Sequence, residues 1–290
     1  MRFETAPELR LFADSVRGAI GEWEPPREPA FGTWWDEQDE QLATRLAGVG
    51  WAELWADAEL RGAAVAGAIE LGRAVAPLSL VDVATLGGGL GVGGRTRHLV
   101  LNQHKVALVT PGGLVLADVR AEEREATLDG TGTVRVTPVP DTPTPDGDER
   151  LRAWAAATLG YLAGLAARSL DTTVAYVTSR EQFGAPLAAL PTMQARLADM
   201  SLLTDGLELV AWQAATPDDA YQDPLPRTAL AWAGPTAREI AASAHQAHGG
   251  VGFALETGVH CAYRRAKSAQ VWIDAVLASI PSSASAGARG

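Results

Sequence analysis

The chain is poor in cysteine, in basic residues and in long apolar runs, and each shortage removes a class of function. Cys261 is the single cysteine among 290 residues. One thiol cannot close an internal disulfide or build a Cys-rich zinc site, so the composition fits a reducing cytoplasm. Basic residues number 24 against 35 acidic ones, giving a net charge of −11. A surface of that sign has no basic patch to displace the counterions of a nucleic acid and is repelled by anionic lipid. No run approaches the roughly 18 apolar residues that a membrane-spanning helix needs. The first twenty residues lack the apolar core of a signal peptide. Aromatics make up only 6%, yet nine are Trp, so Trp must supply much of the large apolar volume. Small apolar residues are abundant. With 47% hydrophobic residues, a chain of this length can bury a sizeable core in one large domain or two modest ones.

Helical periodicity dominates both ends. Leu9, Phe12, Val16 and Ile20 share one face of a helix over residues 7–20, which Pro25, Pro26 and Pro29 break before an aromatic cluster at residues 31–35. A helix follows over residues 36–46, then the step Gly48-Val49-Gly50-Trp51, then a helix over residues 57–76 that Pro77 stops. The longest apolar pattern runs over residues 151–180. There Trp154, Leu159, Leu162, Leu165 and Leu170 recur at helical spacing, and Ala and Gly between them allow close helix approach. After a turn at residues 181–187, a second helix starts at Pro191 or Thr192 and carries Met193, Leu197, Met200 and Leu203 towards Trp212. A loop at residues 216–226, a helix over residues 227–247, a glycine turn at residues 249–252 and a last helix over residues 258–280 complete the chain. Its end, SSASAGARG, reads as a disordered tail.

The middle differs. Val106 to Val109 and Leu114 to Leu116 flank a Pro111-Gly112-Gly113 turn, and residues 133–136 follow an Asp129-Gly130 turn, so strands are expected here. A Pro-rich acidic linker spans residues 138–149. Ahead of the strands, Gly89, Gly91 and Gly94 have the G-x-G-x-x-G spacing of a dinucleotide site. That motif needs a helix after it, and the residues that follow are strand-like. A flexible, shortened connection is the favoured reading of residues 86–95, with nicotinamide binding as the rival.

Two blocks resemble a known family. Arg180-Glu181-Gln182-Phe183-Gly184-Ala185-Pro186-Leu187, with the helices on either side, is similar to the helix hairpin of the acyl-CoA dehydrogenase C-terminal domain. His245-Gln246-Ala247-His248-Gly249-Gly250-Val251-Gly252-Phe253, followed by Arg264-Arg265-Ala266-Lys267, is similar to a second block of the same family, in the right order. The resemblance is good over residues 151–272, loose over residues 1–80 and slight between them. It implies a mainly α, acyl-CoA dehydrogenase-like fold. The expected parts are an N-terminal helical domain (1–85), a reduced β middle segment with linker (86–147), a C-terminal four-helix bundle (148–282) and a disordered tail (283–290). The family's β-barrel-like middle domain is about halved here, and the segments that cover the flavin ring are not matched.

The resemblance also implies a cofactor, FAD. Arg180 matches an arginine on the FAD pyrophosphate, where a guanidinium fork suits phosphate; the alternative is an arginine facing a helix C-terminus. Phe183 matches an aromatic near the cofactor but is equally placed for a core. Gln182 is a weaker match. Gln246, Gly249 and Gly250 match the second FAD half-site, where close backbone approach favours Gly; the alternative is a plain helix cap. His245 and His248, at i, i+3, lack a third metal ligand at suitable spacing, so no metal is expected.

The catalytic base is missing from both positions the resemblance implies. One lies about seven turns upstream of Arg180 and falls on Trp154. The other falls in Trp272-Ile273-Asp274, with Ile273 in the glutamate's place. Asp274 is one position out of register and serves only as a weak candidate. The expected function is therefore a subunit of an FAD-dependent acyl-CoA dehydrogenase. It would act with a longer homologous partner, in an α2β2 heterotetramer of the actinobacterial steroid-side-chain type, on an acyl-CoA thioester. The partner would supply the base. The alternatives are a homomeric protein of the same fold with lyase or dehydratase chemistry, and a non-catalytic scaffold subunit.

Overall fold

The centre of the molecule is one helix, α5 (Gly147–Ser179), 33 residues long and so about 50 Å from end to end. Alanine is its commonest residue, no proline interrupts it, and Asp148 and Glu149 complement the dipole of its first turn. From Trp154 to Ala167 every residue is buried. A helix covered on all sides needs small residues on all sides, which accounts for its Ala- and Gly-rich middle. The computed structural model describes residues 6–25, 36–97, 105–118, 124–125, 133–135, 144–182, 184–216 and 225–280. Outside them lie the aromatic cluster at 31–35, Pro26, Pro29, the Asp129-Gly130 turn, Phe183, the tail, residues 138–143 of the linker and most of the 216–226 loop; the last three residues of the expected linker, 147–149, already belong to α5.

Among the described residues, four α-helices precede α5. These are α1 (Pro7–Ile20), α2 (Asp36–Ala47), α3 (Arg61–Arg73) and α4 (Ser79–Leu86). The helix expected from residue 57 begins only at Arg61, because residues 51–60 form two 3-10 turns. Helix α3 packs along α5 with the backbones in contact. A Cβ on Gly72 would collide with the carbonyl oxygen of Tyr161, and one on Gly164 with that of Ile69. Around this crossing Tyr161 Oη donates to Ala76 O at 2.5 Å and Trp51 Nε1 to Leu80 O at 2.9 Å.

Helix α5 is followed by α6 (Pro191–Ala215), α7 (Arg227–His248) and α8 (Val259–Ser279). Helices α6 and α7 pack on α5 and on each other, and α8 packs on α7 and α5, making a four-helix group. None of the described helices is long and apolar enough to cross a membrane.

Between the helical parts lie β1 (Gly89–Val92), β2 (Arg95–Arg97), β3 (Lys105–Thr110), β4 (Gly113–Asp118), β5 (Arg124–Glu125) and β6 (Thr133–Arg135). They form one sheet in the order β4-β3-β1-β2-β6-β5. The expected hairpin is present, with Val106 opposite Ala117 and Thr110 opposite Gly113. The glycine-rich stretch corrects the sequence reading. It is neither a flexible connection nor a phosphate loop before a helix. Strands β1 and β2 pair antiparallel, Val92 with Arg95, across Gly93 and Gly94, both at positive φ (59° and 76°). Two consecutive positive φ values are what a tight two-residue hairpin turn demands. With a strand on each side of the turn, no helix N-terminus is available for a pyrophosphate.

The backbone contact between α3 and α5 generates a paired test. Gly164→Ala forces two packed helices apart and is expected to cost about 3 kcal/mol or more. Gly18→Ala, on α1 with nothing within 4 Å of its Cβ, is expected to stabilise by about 0.5–1 kcal/mol. Thermal denaturation of the two variants checks this: equal shifts would contradict the close crossing.

Candidate functional site

The residues marked by their motifs gather at one end of the helix group. Helix α5 ends where Thr178 and Ser179 turn their hydroxyls back onto the carbonyls of Val174 and Tyr176, as such side chains do when they compete with the backbone. Arg180 is its C-cap, extended at φ −84°, ψ 120°. Two short strands follow, β7 (Glu181–Gln182) and β8 (Ala185–Pro186), which pair antiparallel. Leu187 N–H closes the loop on the Arg180 carbonyl at 2.8 Å. Arg180 and Gln182 are exposed, and the Arg180 side chain has no hydrogen-bond or ion-pair partner among the described residues. The C-cap position leaves the macrodipole role available to it as well.

Helix α7 ends beside this loop. Gly249 takes φ 60°, ψ −140° and caps the helix by donating to the carbonyls of Gln246 and His245, a backbone conformation reserved for glycine. Gly252 is packed under His248. Gly250 differs. Its φ is not positive, and a Cβ there would meet nothing within 4 Å. The chain's own packing therefore gives no reason for glycine at 250. Gln246, Gly249 and Gly250 are all exposed, as are Val251 and Phe253. The two helix ends touch through Tyr176 of α5 and His248 of α7, whose rings stack with centroids 4.2 Å apart. So the structure places Arg180, Gln182, Gln246, Gly249 and Gly250 at one end of the bundle, on its surface. Phe183 is outside the described residues.

The histidines are engaged within α7. His245 Nδ1 and His248 Nδ1 lie 3.0 and 2.8 Å from the carbonyls of Ala241 and Ala244. A carbonyl only accepts, so Nδ1 carries the proton in both.

The weak base candidate is not in an interior site. Asp274 is exposed on α8, while the preceding Ile273 is buried at 1% exposure. A step of one residue turns the side chain by about 100°, and here that step leads from core to solvent.

What fills the interior was missed by sequence reasoning. Asp82 of α4 and Arg97 of β2 form an ion pair at 3.0 Å, with side chains 0% and 3% exposed. Trp154 Nε1 donates to Asp82 Oδ1 at 3.1 Å, and Leu90 N–H to Oδ2 at 3.4 Å. The Arg97 guanidinium lies over the Trp272 ring at 5.2 Å. Thus the tryptophans at or beside the two implied base positions converge on a single buried ion pair. One signal was available: Asp82 is the only charged residue between Leu78 and Leu86.

Burial pushes the Asp82 carboxyl from its ordinary 3.8 up to about 6, against the pull of the Arg97 guanidinium, the Leu90 N–H and Trp154. A carboxyl whose folded pKa is raised binds its proton more tightly in the folded state. Its contribution is fully present below pH 3.8 and is lost as pH rises through about 6.

Comparison with known proteins bears on the fold. Residues 149–273 match the family model for the acyl-CoA dehydrogenase C-terminal domain. The short-chain specific acyl-CoA dehydrogenase of Rattus norvegicus mitochondria is 35% identical over 111 residues, which is 38% of this chain and 27% of the relative. The chain thus spans about a quarter of the length of the curated relatives it matches. Among solved structures, a variant of the Tcur3481–Tcur3483 steroid ACAD is similar with a TM-score of 0.73 at 19% identity, covering 98% of this chain and 99% of that one. The ChsE4–ChsE5 complex from Mycobacterium tuberculosis is similar with a TM-score of 0.67 at 19% identity, covering 96% of each chain.

The buried pair makes a pH-dependent prediction. The stability difference between the parent chain and Asp82→Asn is expected to shift in favour of the parent by roughly 1 kcal/mol on going from about pH 7 to about pH 5. Urea denaturation at the two pH values measures it; a difference that does not change with pH would contradict the raised carboxyl. Taken together, these features give the chain the acyl-CoA dehydrogenase fold, with a match to that family's C-terminal domain over residues 149–273.

Proposed function

We propose that this chain is a subunit of an FAD-dependent acyl-CoA dehydrogenase that supplies half of a cofactor site and no catalytic base. One contrast carries the proposal. Arg180, Gln246, Gly249 and Gly250 are exposed at one end of the bundle, while the interior is occupied by Trp154, Asp82, Arg97 and Trp272. The surface fits an anionic, phosphate-bearing ligand: a guanidinium with no partner among the described residues, and a glycine whose Cβ space is open. FAD, when bound, accepts the hydride from the β carbon of a CoA thioester.

The chain's own residues then have limited tasks. Arg180 pairs with the pyrophosphate and fixes the cofactor's position. Gly249 and Gly250 let the backbone approach it, and Gln246 offers a side-chain amide. The α proton of a thioester leaves to a general base beside it in a dry, polarising site, a carboxylate in the family this chain resembles. At the two positions implied for that carboxylate, this chain has Trp154 and Ile273, both buried. Asp82 has both oxygens engaged, by Trp154 and by Arg97 and Leu90, and is committed to structure. The base, the acyl cavity and the cover of the flavin ring therefore fall to a longer homologous partner, in an α2β2 heterotetramer. Likeness to the steroid ACAD and to the ChsE4–ChsE5 complex supports a heteromer acting on a bulky, steroid-like acyl-CoA. A homomeric lyase or dehydratase would need Asp274 or the histidines at an interior site. Asp274 is exposed, which leaves that reading to Nε2 of the histidines, whose Nδ1 atoms are held by backbone carbonyls.

The test is flavin content in the complex that this chain forms in its own host. Arg180→Ala is expected to weaken FAD binding by about 10- to 100-fold, the loss of a charge-assisted hydrogen-bond pair. Arg180→Lys, which keeps charge without the fork, should fall between. Unchanged flavin content in Arg180→Ala would instead support a scaffold subunit.

A further inference from the structure

We infer that Tyr176 and His248 are positioning residues that hold the two parts of the cofactor half-site in register. The inference rests on the FAD reading of Arg180 and of the Gly249-Gly250 turn. Those parts come from different helices, and nothing in the local sequence of either ties it to the other. Tyr176 lies one helical turn before Arg180, and His248 directly precedes Gly249. Their rings stack at 4.2 Å with an interplanar angle of 20°. The Tyr176 hydroxyl also points to the His248 carbonyl at 3.5 Å, the carbonyl that enters the Gly249 peptide.

His248 is itself fixed. It is 6% exposed, its Nδ1–H donates to Ala244 O at 2.8 Å, and Gly252 closes over its Cβ. A histidine anchored in this way makes a rigid surface, and a tyrosine stacked on it sets where the end of α5 can lie. The Arg180 amide in turn donates to the Tyr176 carbonyl at 2.9 Å. A connected path therefore runs from the Gly249 peptide through two rings to the Arg180 backbone. The stack carries the coupling, because a hydroxyl at 3.5 Å is at the long edge of hydrogen bonding while a ring pair at this separation is in full contact. As positioning residues, Tyr176 and His248 act through the groups beside them, Arg180 and the Gly249 peptide.

The experiment uses the full chain, purified from its own host together with its partner, then stripped of flavin and retitrated with FAD. Tyr176→Leu removes the stack and is expected to raise the FAD dissociation constant on the order of three- to tenfold. Tyr176→Phe keeps the stack and loses only the long hydroxyl contact, so it should remain within about twofold of the parent. Should Tyr176→Leu fail to assemble, His248→Phe keeps a ring against Tyr176 and His248→Leu does not; FAD affinity is expected to fall only in the second. A lowered Tm with unchanged FAD affinity in the Leu variants would mark a purely structural contact and overturn the inference. Arg180→Ala in the same titration separates the two levels. If it weakens FAD and Tyr176→Leu does not, only the positioning role fails. If Arg180→Ala is also without effect, the half-site reading itself fails.

Discussion

The buried ion pair between Asp82 and Arg97 is the contact on which the architecture depends. It joins α4 to β2, and through Trp154 and Trp272 it reaches α5 and α8. Two charges taken out of water cost several kcal/mol each, and their attraction repays this only when the remaining lone pairs and protons are also satisfied. Here the carboxylate receives Trp154 and the Leu90 N–H besides Arg97. Such a pair adds little to net stability. What it does is fix one arrangement, because removing either member strands the other charge in the core. The small sheet, a separate layer by sequence, is thereby pinned to both helical parts.

The same contact fills the interior beside the positions where the resemblance would place a base. An enzyme that removes an α proton needs a carboxylate with open space before it, and a tryptophan at that point replaces space with matter. The two implied base positions are distant in sequence, yet both lead to one packed cluster. The surface at the bundle end has the opposite character. An arginine without a partner among the described residues, an open glycine and the exposed apolar tip at Val251 and Phe253 mark this end of the bundle. A filled interior around Asp82 and Arg97 and an open surface at the bundle end are the two observations on which the proposal of a shared site rests.

Much of the fold was legible in the sequence where periodicity was strong. Helix α1, the β3–β4 hairpin and the four helices from α5 to α8 all follow from apolar spacing and from turn residues such as Pro111-Gly112. Helix α4 was not seen. All eight of its residues are buried, and at about two turns in length it is too short for its period to stand out. The Gly93-Gly94 turn was overlooked because the wider glycine spacing imitates a phosphate loop, whereas two glycines between strands are a hairpin signal. The parallel pairing of β1 with β3 is non-local and has no pattern in either strand. Of the proposed site, Arg180, Gln246 and Gly250 were singled out by their motifs, and they lie exposed at one end of the bundle. The Asp82–Arg97 pair was not, because its meaning lies in burial, and burial is a property of the whole packed chain. Nor was Tyr176 beside His248, two ordinary helical residues until the bundle brings their rings together.

The central claim is that the chain offers a cofactor half-site on its surface and no complete site within. The absorption spectrum of the chain purified alone, with quantitation of any flavin it retains, tests this most directly. The account predicts a colourless protein that gains the yellow flavin band only when purified with a longer homologous partner. Tightly held flavin in one-to-one ratio with the isolated chain would contradict it.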